Sequence, residues 1–454
     1  FMSLHVSACG GIVFIKLGDH ETSEIRWMFR ENPEVAFLVQ ERTVGVQYDV
    51  DCVVGEGWYM RHNQNVEDFE VDFAPAPEGP WSSFVRGDEG LLFLNIDAYA
   101  GGLVCSVIKD ALPQVMVFDR SGVTQHILKH DEQAYDLDVE MPGQCDSGFI
   151  RIYVSSPRLP MTIYDVDLVT GSWTLKKEHT LPCGHNVADY QVERMHIDVS
   201  DGASVPVTLL RRKEDVHRPI PFFLYGYGAY GMSMPAHFSA PRLSLVDRHI
   251  GYAIIHVRGG MERGHKWYKF GKKEHKVKTF QDFIDVSSYL IEQGIARRLA
   301  AHGGSAGGML MGVLANKAPS LYQAIIAEVP FVDVLETMSD PNLPLTPPEW
   351  PEWGNPISSV EERNMIASYS PVDNVTAQEY PAILATAGLT DPRVTYWEPA
   401  KWVYKLRQAQ TGNAPILLHT DLDAGHAGKT GRYQRLEEIA RVYAFAIRYL
   451  LQQP

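Results

Sequence analysis

The sequence has no apolar run of the roughly 18–20 residues that a membrane helix needs. It shows no charged segment leading into an apolar stretch near its start, so no secretory signal is visible and no membrane partner is implied. Basic runs are missing too. Lys and Arg number 41 against 56 Asp and Glu, a formal charge of −15. That balance excludes nucleic acid as an expected partner and favours cationic ligands, which an acidic cleft attracts. Cysteine is sparse: Cys9, Cys52, Cys105, Cys145 and Cys183 cannot all pair, and none has zinc-ligand spacing. They read as free thiols in a reducing compartment, and the absent signals predict a cytoplasmic protein. H-E-x-x-H is absent and the histidines form no ligand pattern, so no metal and no cofactor is expected. The remainder is ordinary for globular proteins. Hydrophobic residues are 45% and charged residues 21% of 454, a length that suits two domains.

Residues 1–190 read as short strands divided by turn signals. Val71-Asp72-Phe73, Val117-Phe118-Asp119 and Asp165-Val166-Asp167 each end an alternating run, spaced about 47 and 48 residues apart. Tyr48-Asp49-Val50-Asp51 and Tyr135-Asp136-Leu137-Asp138 repeat a second strand across about two such periods. A four-stranded repeat of roughly 40–50 residues is the period of a β-propeller blade, and about four blades fit. An irregular β-sandwich is the alternative. Residues 191–454 change pattern. A hairpin turning at Asp201-Gly202 precedes strands at 222–225, 252–257, 299–302, 324–329, 382–386 and 415–419. Helices alternate with them, one capped by Thr279 and a last one carrying Leu436, Ile439, Ala440, Tyr443, Ile447 and Leu450. That alternation predicts an α/β fold around a mostly parallel sheet.

The strongest chemical signal is His302-Gly303-Gly304-Ser305-Ala306-Gly307-Gly308. It holds G-x-S-x-G between a predicted strand and a predicted helix, the setting of a nucleophile elbow. A phosphate-holding glycine loop is the rival reading. Serine needs a base, and the base needs an orienting carboxylate. Asp391, in Leu389-Thr390-Asp391-Pro392-Arg393, lies on a loop after the 382–386 strand. His426 lies between glycines after the 415–419 strand, with Asp421 and Asp423 as rival carboxylates. Chain order and placement past strand ends favour Asp391.

From about Arg194 onward the chain resembles the prolyl oligopeptidase family of serine peptidases. The strings that carry this include Tyr225-Gly226-Tyr227-Gly228-Ala229-Tyr230-Gly231, His256-Val257-Arg258-Gly259-Gly260, Gly303-Gly304-Ser305-Ala306-Gly307-Gly308, Val329-Pro330-Phe331-Val332-Asp333-Val334, Glu352-Trp353-Gly354-Asn355-Pro356 and Asp391-Pro392-Arg393-Val394. Ala306 is similar to the branch that cleaves after Arg or Lys, whereas prolyl-cleaving members carry Asn there. The resemblance implies a C-terminal α/β-hydrolase fold preceded by a partial β-propeller. It implies Ser305 as nucleophile, Asp391 as orienter and His426 as base. Tyr227 and the Ala306 N–H become the oxyanion donors, and Arg393 holds a substrate carbonyl. Glu349 and Glu352 are the acidic residues for a basic side chain, and short basic peptides are the implied substrates.

The chain departs from the family in four places. Pro351 stands where a second pocket glutamate is usual, Pro235 and His237 replace a pair of aspartates, and Met261 interrupts a glycine run. The family's propeller normally has seven blades, so an N-terminal part is expected to be missing, and Phe1 opens the chain in place of Met. Cleavage after Pro, an esterase or acyl-peptide hydrolase using the same triad, and a non-catalytic propeller scaffold are the competing readings.

Overall fold

Short alternating runs and Asp-Gly turns build four antiparallel sheets in the first part of the chain. The computed structural model describes residues 1–142, 145–182 and 184–452. Strands β1 to β4 are Met2–Val6, Ile12–Gly18, Ser23–Phe29 and Asn32–Leu38. Strands β5 to β8 are Tyr48–Val53, Gly57–His62, Glu70–Ala74 and Ser82–Val85. Strands β9 to β12 are Leu91–Tyr99, Gly102–Lys109, Leu112–Asp119 and Thr124–Leu128, and β13 to β16 are Asp136–Glu140, Phe149–Ser155, Thr162–Asp167 and Trp173–Glu178. Each set pairs in sequence order into one four-stranded sheet. The turn chemistry repeats with the strands. Asp119 accepts from the N–H groups of Ser121 and Val123, and Asp167 accepts from those of Val169 and Thr170. Gly122 and Gly171 then take positive φ, which closes each hairpin.

Apolar layers separate successive sheets. Phe14, Trp27, Tyr48 and Trp58 pack between the first two, Tyr59, Phe93, Leu103 and Phe118 between the next two, and Val104, Val117, Ile152 and Val166 between the last two. Burying each large side chain contributes roughly 1.5–3 kcal/mol, and backbone hydrogen bonds such as Ser23 N–H to the Val46 carbonyl and Phe93 N–H to the Asp68 carbonyl, both at 3.0 Å, link successive sheets. This is a partial β-propeller. Its compact unit comprises Phe1–His185 together with Pro235–Phe238 and Met261–Lys266. Met261, the break in the glycine run, packs against this unit's core.

Two expectations need correction here. Cys9 and Cys145 form a disulfide, joining the β1–β2 turn to the β13–β14 loop, so they are not free thiols. Cys52 and Cys105 are free and buried, and Cys183 lies outside the described residues. The reducing compartment, inferred from unpaired cysteines, loses its basis. Among the described residues no helix is long and apolar enough to cross a membrane.

The second unit is Asn186–Met234, Ser239–Gly260 and Trp267–Pro454. Strands β17 (Tyr190–Asp198), β18 (Ser204–Arg212), β19 (Ile220–Tyr225), β20 (Gly251–Ile255), β21 (Ala296–Gly304), β22 (Ala324–Glu328), β23 (Ala382–Gly388) and β24 (Ile416–Asp421) form one sheet. Their order is β17-β18-β20-β19-β21-β22-β23-β24. The hairpin edge is antiparallel, and every pairing from β20 to β24 is parallel. Helices cover the sheet, as parallel strands require. This is the α/β-hydrolase fold.

Helix Lys276–Glu292 starts before Thr279, which is buried and donates to the Arg258 and Gly271 carbonyls instead of capping. The last helix, Arg432–Leu451, buries Val442, Ala446 and Leu450, while Leu436 is exposed. Leu450 of the predicted apolar stripe is buried and Tyr443 packs against Phe223, so that stripe faces inward over the second half of the helix and leaves the core at Leu436.

Candidate active site

Parallel neighbours bring their following loops to one edge of the sheet. In register, Gly388 at the end of β23 lies beside Asp421 at the end of β24. Asp391 and His426 follow those two ends. His426 Nδ1–H donates to Asp391 Oδ2 at 2.7 Å, and the Ser305 hydroxyl lies 3.1 Å from His426 Nε2. Asp391 Oδ1 accepts from the N–H groups of Arg393 and Val394 at 2.8 and 3.0 Å. Its carboxylate is fully enclosed. Asp421 is instead paired with Lys429 at 3.0 Å, and Asp423 is exposed on the turn. The structure thus brings together Ser305, His426 and Asp391, and leaves the rival carboxylates outside.

Ser305 sits at φ 54°, ψ −119°, between β21 and helix Ala306–Lys317. A serine in that left-handed region is strained, and the strain is held from both sides. Its N–H donates to the Glu328 carbonyl at 2.8 Å, and its carbonyl accepts from Phe331 N–H at 3.1 Å. Val329, between those anchors, itself has φ 39°, unusual for a β-branched residue. The glycines of the motif are needed because the chain crowds here. A Cβ on Gly303 would meet Gly307 O at 2.4 Å, and one on Gly307 would meet Gly226 O at 2.7 Å. Ala306 opens the helix, so its N–H has no acceptor within the helix.

The second contact of that elbow is the loop after β19. Tyr227 packs against the elbow at Gly307, beside Ser305, and burial pushes its phenol up to about 12, reinforced by Glu349 and Glu352. It is therefore a protonated donor beside the serine at any ordinary pH. Arg393 is exposed, and its charge is felt at Tyr227.

The two acidic candidates separate. Glu349 is half-buried, accepts from Trp353 Nε1 at 3.2 Å and is hydrogen-bonded to Tyr230. Glu352, expected at a substrate cation, is 0% exposed. Its Oε1 accepts from Tyr230 N–H at 3.0 Å and its Oε2 from the Tyr268 hydroxyl at 2.6 Å. Both oxygens are already committed to protein donors, so it does not face a ligand. Arg258, in another matched string, is buried against Asp282 and paired with Asp201 at 2.7 Å, a structural role. Pro235 and His237 belong to the propeller unit, where His237 lowers the charge cost of Asp136.

Sequence reading missed Lys276, which is 1% exposed and hydrogen-bonded to the Gly228 carbonyl. Lying in a lysine-rich stretch, it reads as a solvated residue, and no local signal marks it as buried.

Residues 1–179 match the N-terminal β-propeller domain of prolyl oligopeptidase, and residues 236–453 match the prolyl oligopeptidase family. The chain belongs to the prolyl oligopeptidase family. Within that family it is 37% identical to dipeptidyl aminopeptidase BI of Pseudoxanthomonas mexicana, over 98% of this chain and 62% of the relative. It is 34% identical to protease 2 of Moraxella lacunata, over 97% of this chain and 64% of the relative. The solved structure of oligopeptidase B from Trypanosoma brucei with covalently bound antipain superposes with a TM-score of 0.93. That match has 34% identity and covers all of this chain and 66% of the other. The chain thus spans somewhat under two thirds of the length of the curated family relatives it matches.

Proposed function

We propose that the chain carries the catalytic apparatus of a serine peptidase that hydrolyses short peptides on the carboxyl side of Arg or Lys. The observation that carries the reading is the hydrogen-bonded series Ser305, His426, Asp391 at 3.1 and 2.7 Å. In this reading His426 takes the Ser305 proton as the hydroxyl oxygen attacks the scissile carbonyl. Asp391 holds the Nδ1–H tautomer and stabilises the imidazolium. The Ala306 N–H and the Tyr227 hydroxyl donate to the oxyanion, which is worth about 3–4 kcal/mol per well-aimed donor. His426 then protonates the leaving amine, and water repeats the sequence to release the acyl group. Arg393 holds a substrate carbonyl. Glu349 alone of the two glutamates is left to pair with a basic side chain, and its partial exposure supports that assignment.

The test is hydrolysis of fluorogenic peptides that differ only in Arg, Lys or Pro at the cleavage position, beside Ser305→Ala. Cleavage after Arg or Lys that disappears in the variant is expected. Cleavage after Pro would move the assignment to the prolyl branch. Absence of both cleavage and fluorophosphonate labelling at Ser305 would sink the catalytic reading in favour of a scaffold.

A second reading draws on the 37% identical relative named as a dipeptidyl aminopeptidase. There the same triad removes two residues from a free amino terminus. Peptides with a free and an acetylated N-terminus separate the two: endopeptidase action tolerates the acetyl group, and dipeptide release does not.

A further inference from the structure

Two oppositely charged side chains are sealed beneath the loop that carries Tyr227. Lys276 is 1% exposed and Glu352 is 0% exposed. Removing two charges from water is costly, and an apolar pair of similar volume would pack at least as well. Their presence calls for what they hold. Lys276 Nζ donates to the carbonyl of Gly228. Glu352 accepts from the N–H of Tyr230 at 3.0 Å. These are two polar backbone groups of one tight loop, flanking its turn and starting one residue after Tyr227.

That loop does not hold its shape by backbone preference. Gly228 has φ 76° and Tyr230 has φ 59°. A tyrosine in the left-handed region is strained and persists only where the surroundings over-determine it. The surroundings here are polar and specific. The second oxygen of Glu352 is fixed by the Tyr268 hydroxyl at 2.6 Å, and Tyr268 accepts from Lys272 at 3.2 Å. Lys276 Nζ lies 4.8 Å over the Trp353 ring, and Trp353 Nε1 donates to both the Tyr230 hydroxyl and Glu349. Burial brings Lys276 down to about 8, and the nearby Glu352 opposes that shift.

We propose that Lys276 and Glu352 are positioning residues that aim the Tyr227 hydroxyl at the oxyanion site by fixing the Gly228 carbonyl and the Tyr230 N–H. The inference rests on Tyr227 being an oxyanion donor, as argued above. It replaces the expected role of Glu352 as a substrate ligand. Glu349 and Glu352 lie on one short helix three residues apart, and the inference divides them: one faces the substrate, the other the catalytic loop.

The test is a double-mutant cycle in the full chain with a peptide cleaved by the unsubstituted protein. Lys276→Met and Glu352→Gln are each expected to lower kcat about 10–100-fold with little change in KM, because misaiming one donor loses transition-state contacts only. In a Tyr227→Phe background the same substitutions should cost under about twofold, since the group they aim is gone. Fully additive losses, or a rise in KM confined to Arg and Lys substrates, would overturn the proposal. A second arm needs no turnover. In chain labelled with 3-fluorotyrosine, the fluorine resonance missing from Tyr227→Phe identifies Tyr227. Lys276→Met should shift or broaden that resonance while most other tyrosine signals stay in place. An unmoved Tyr227 signal counts against the proposal. If the unsubstituted chain shows neither Ser305-dependent hydrolysis nor fluorophosphonate labelling at Ser305, the catalytic reading fails, and the fluorine spectrum still decides whether the pair holds the loop.

Discussion

At the scale of single residues, Asp391 separates orientation from charge. One oxygen is held by two backbone N–H groups and the other faces His426. Asn at this position can keep its carbonyl oxygen on those N–H groups, which turns its NH2 towards His426 Nδ1. That nitrogen must then accept, so the proton moves to Nε2 and the ring cannot take one from Ser305. Asp391→Asn is therefore expected to leave folding intact, by circular dichroism, and to lower kcat by about 10⁴. A loss under about tenfold would mean that Asp391 is not the orienter. Ser305, Asp391 and His426 were legible as candidates because each lies just past a predicted strand and they follow one another in the order Ser, Asp, His. Lys276 and Glu352 were not. Nothing in a lysine-rich stretch distinguishes the one lysine that turns inward, and its relation to Glu352 exists only after β19 and two helices have packed.

At the scale of elements, the repeats that announced the propeller have physical counterparts. The Val71, Val117 and Asp165 strings fall on β7, β11 and β15, the third strands of their sheets. The Tyr48 and Tyr135 strings start β5 and β13, first strands two sheets apart. Asp51 on β5 shows why an acidic residue recurs in an apolar setting. It accepts from Ala98 N–H of the next sheet at 2.7 Å and from Ala8 N–H of the preceding one at 3.3 Å. Burial, against those hydrogen bonds, pushes it up to about 7. An unfolded aspartate titrates near 3.9. Between these values the folded chain keeps a proton that the unfolded chain has released, so this contribution is complete below about pH 4 and is lost as pH rises through 7. Compared with Asp51→Asn, the propeller unit should lose roughly 2–4 kcal/mol between pH 4.5 and pH 8. Urea unfolding at several pH values measures that difference, and parallel curves for the two proteins would contradict it. Helix faces were less legible. The last helix turns Leu436 outward and Val442 inward, because its partner surface, not its own periodicity alone, selects the buried stripe.

At the scale of the molecule, two units with separate cores should unfold as two transitions. The disulfide lies wholly in the first. Cys9 and Cys145 are 136 residues apart, so the bond closes a loop that includes most of the four sheets. Closing so long a loop restricts the unfolded chain, and the expected stabilisation is about 2–4 kcal/mol. Sequence alone could not place it: five cysteines allow many pairings, and only the approach of a β1–β2 turn to a β13–β14 loop selects this one. The remaining described thiols give a clean control. Cys52 and Cys105 are fully buried, and burial raises both thiols, which keeps them protonated and poorly reactive. Cys9→Ser, or a reductant added to the unsubstituted chain, should lower the midpoint of one transition in differential scanning calorimetry and leave the other in place. The Cys9→Ser/Cys145→Ser double variant should match either single variant, since each already removes the whole bond. If reductant moves neither transition and mass spectrometry finds Cys9 and Cys145 alkylated without reduction, the pair is not closed in the protein. The sheets would then be held without a covalent link, by their apolar layers and by hydrogen bonds such as those of Asp51.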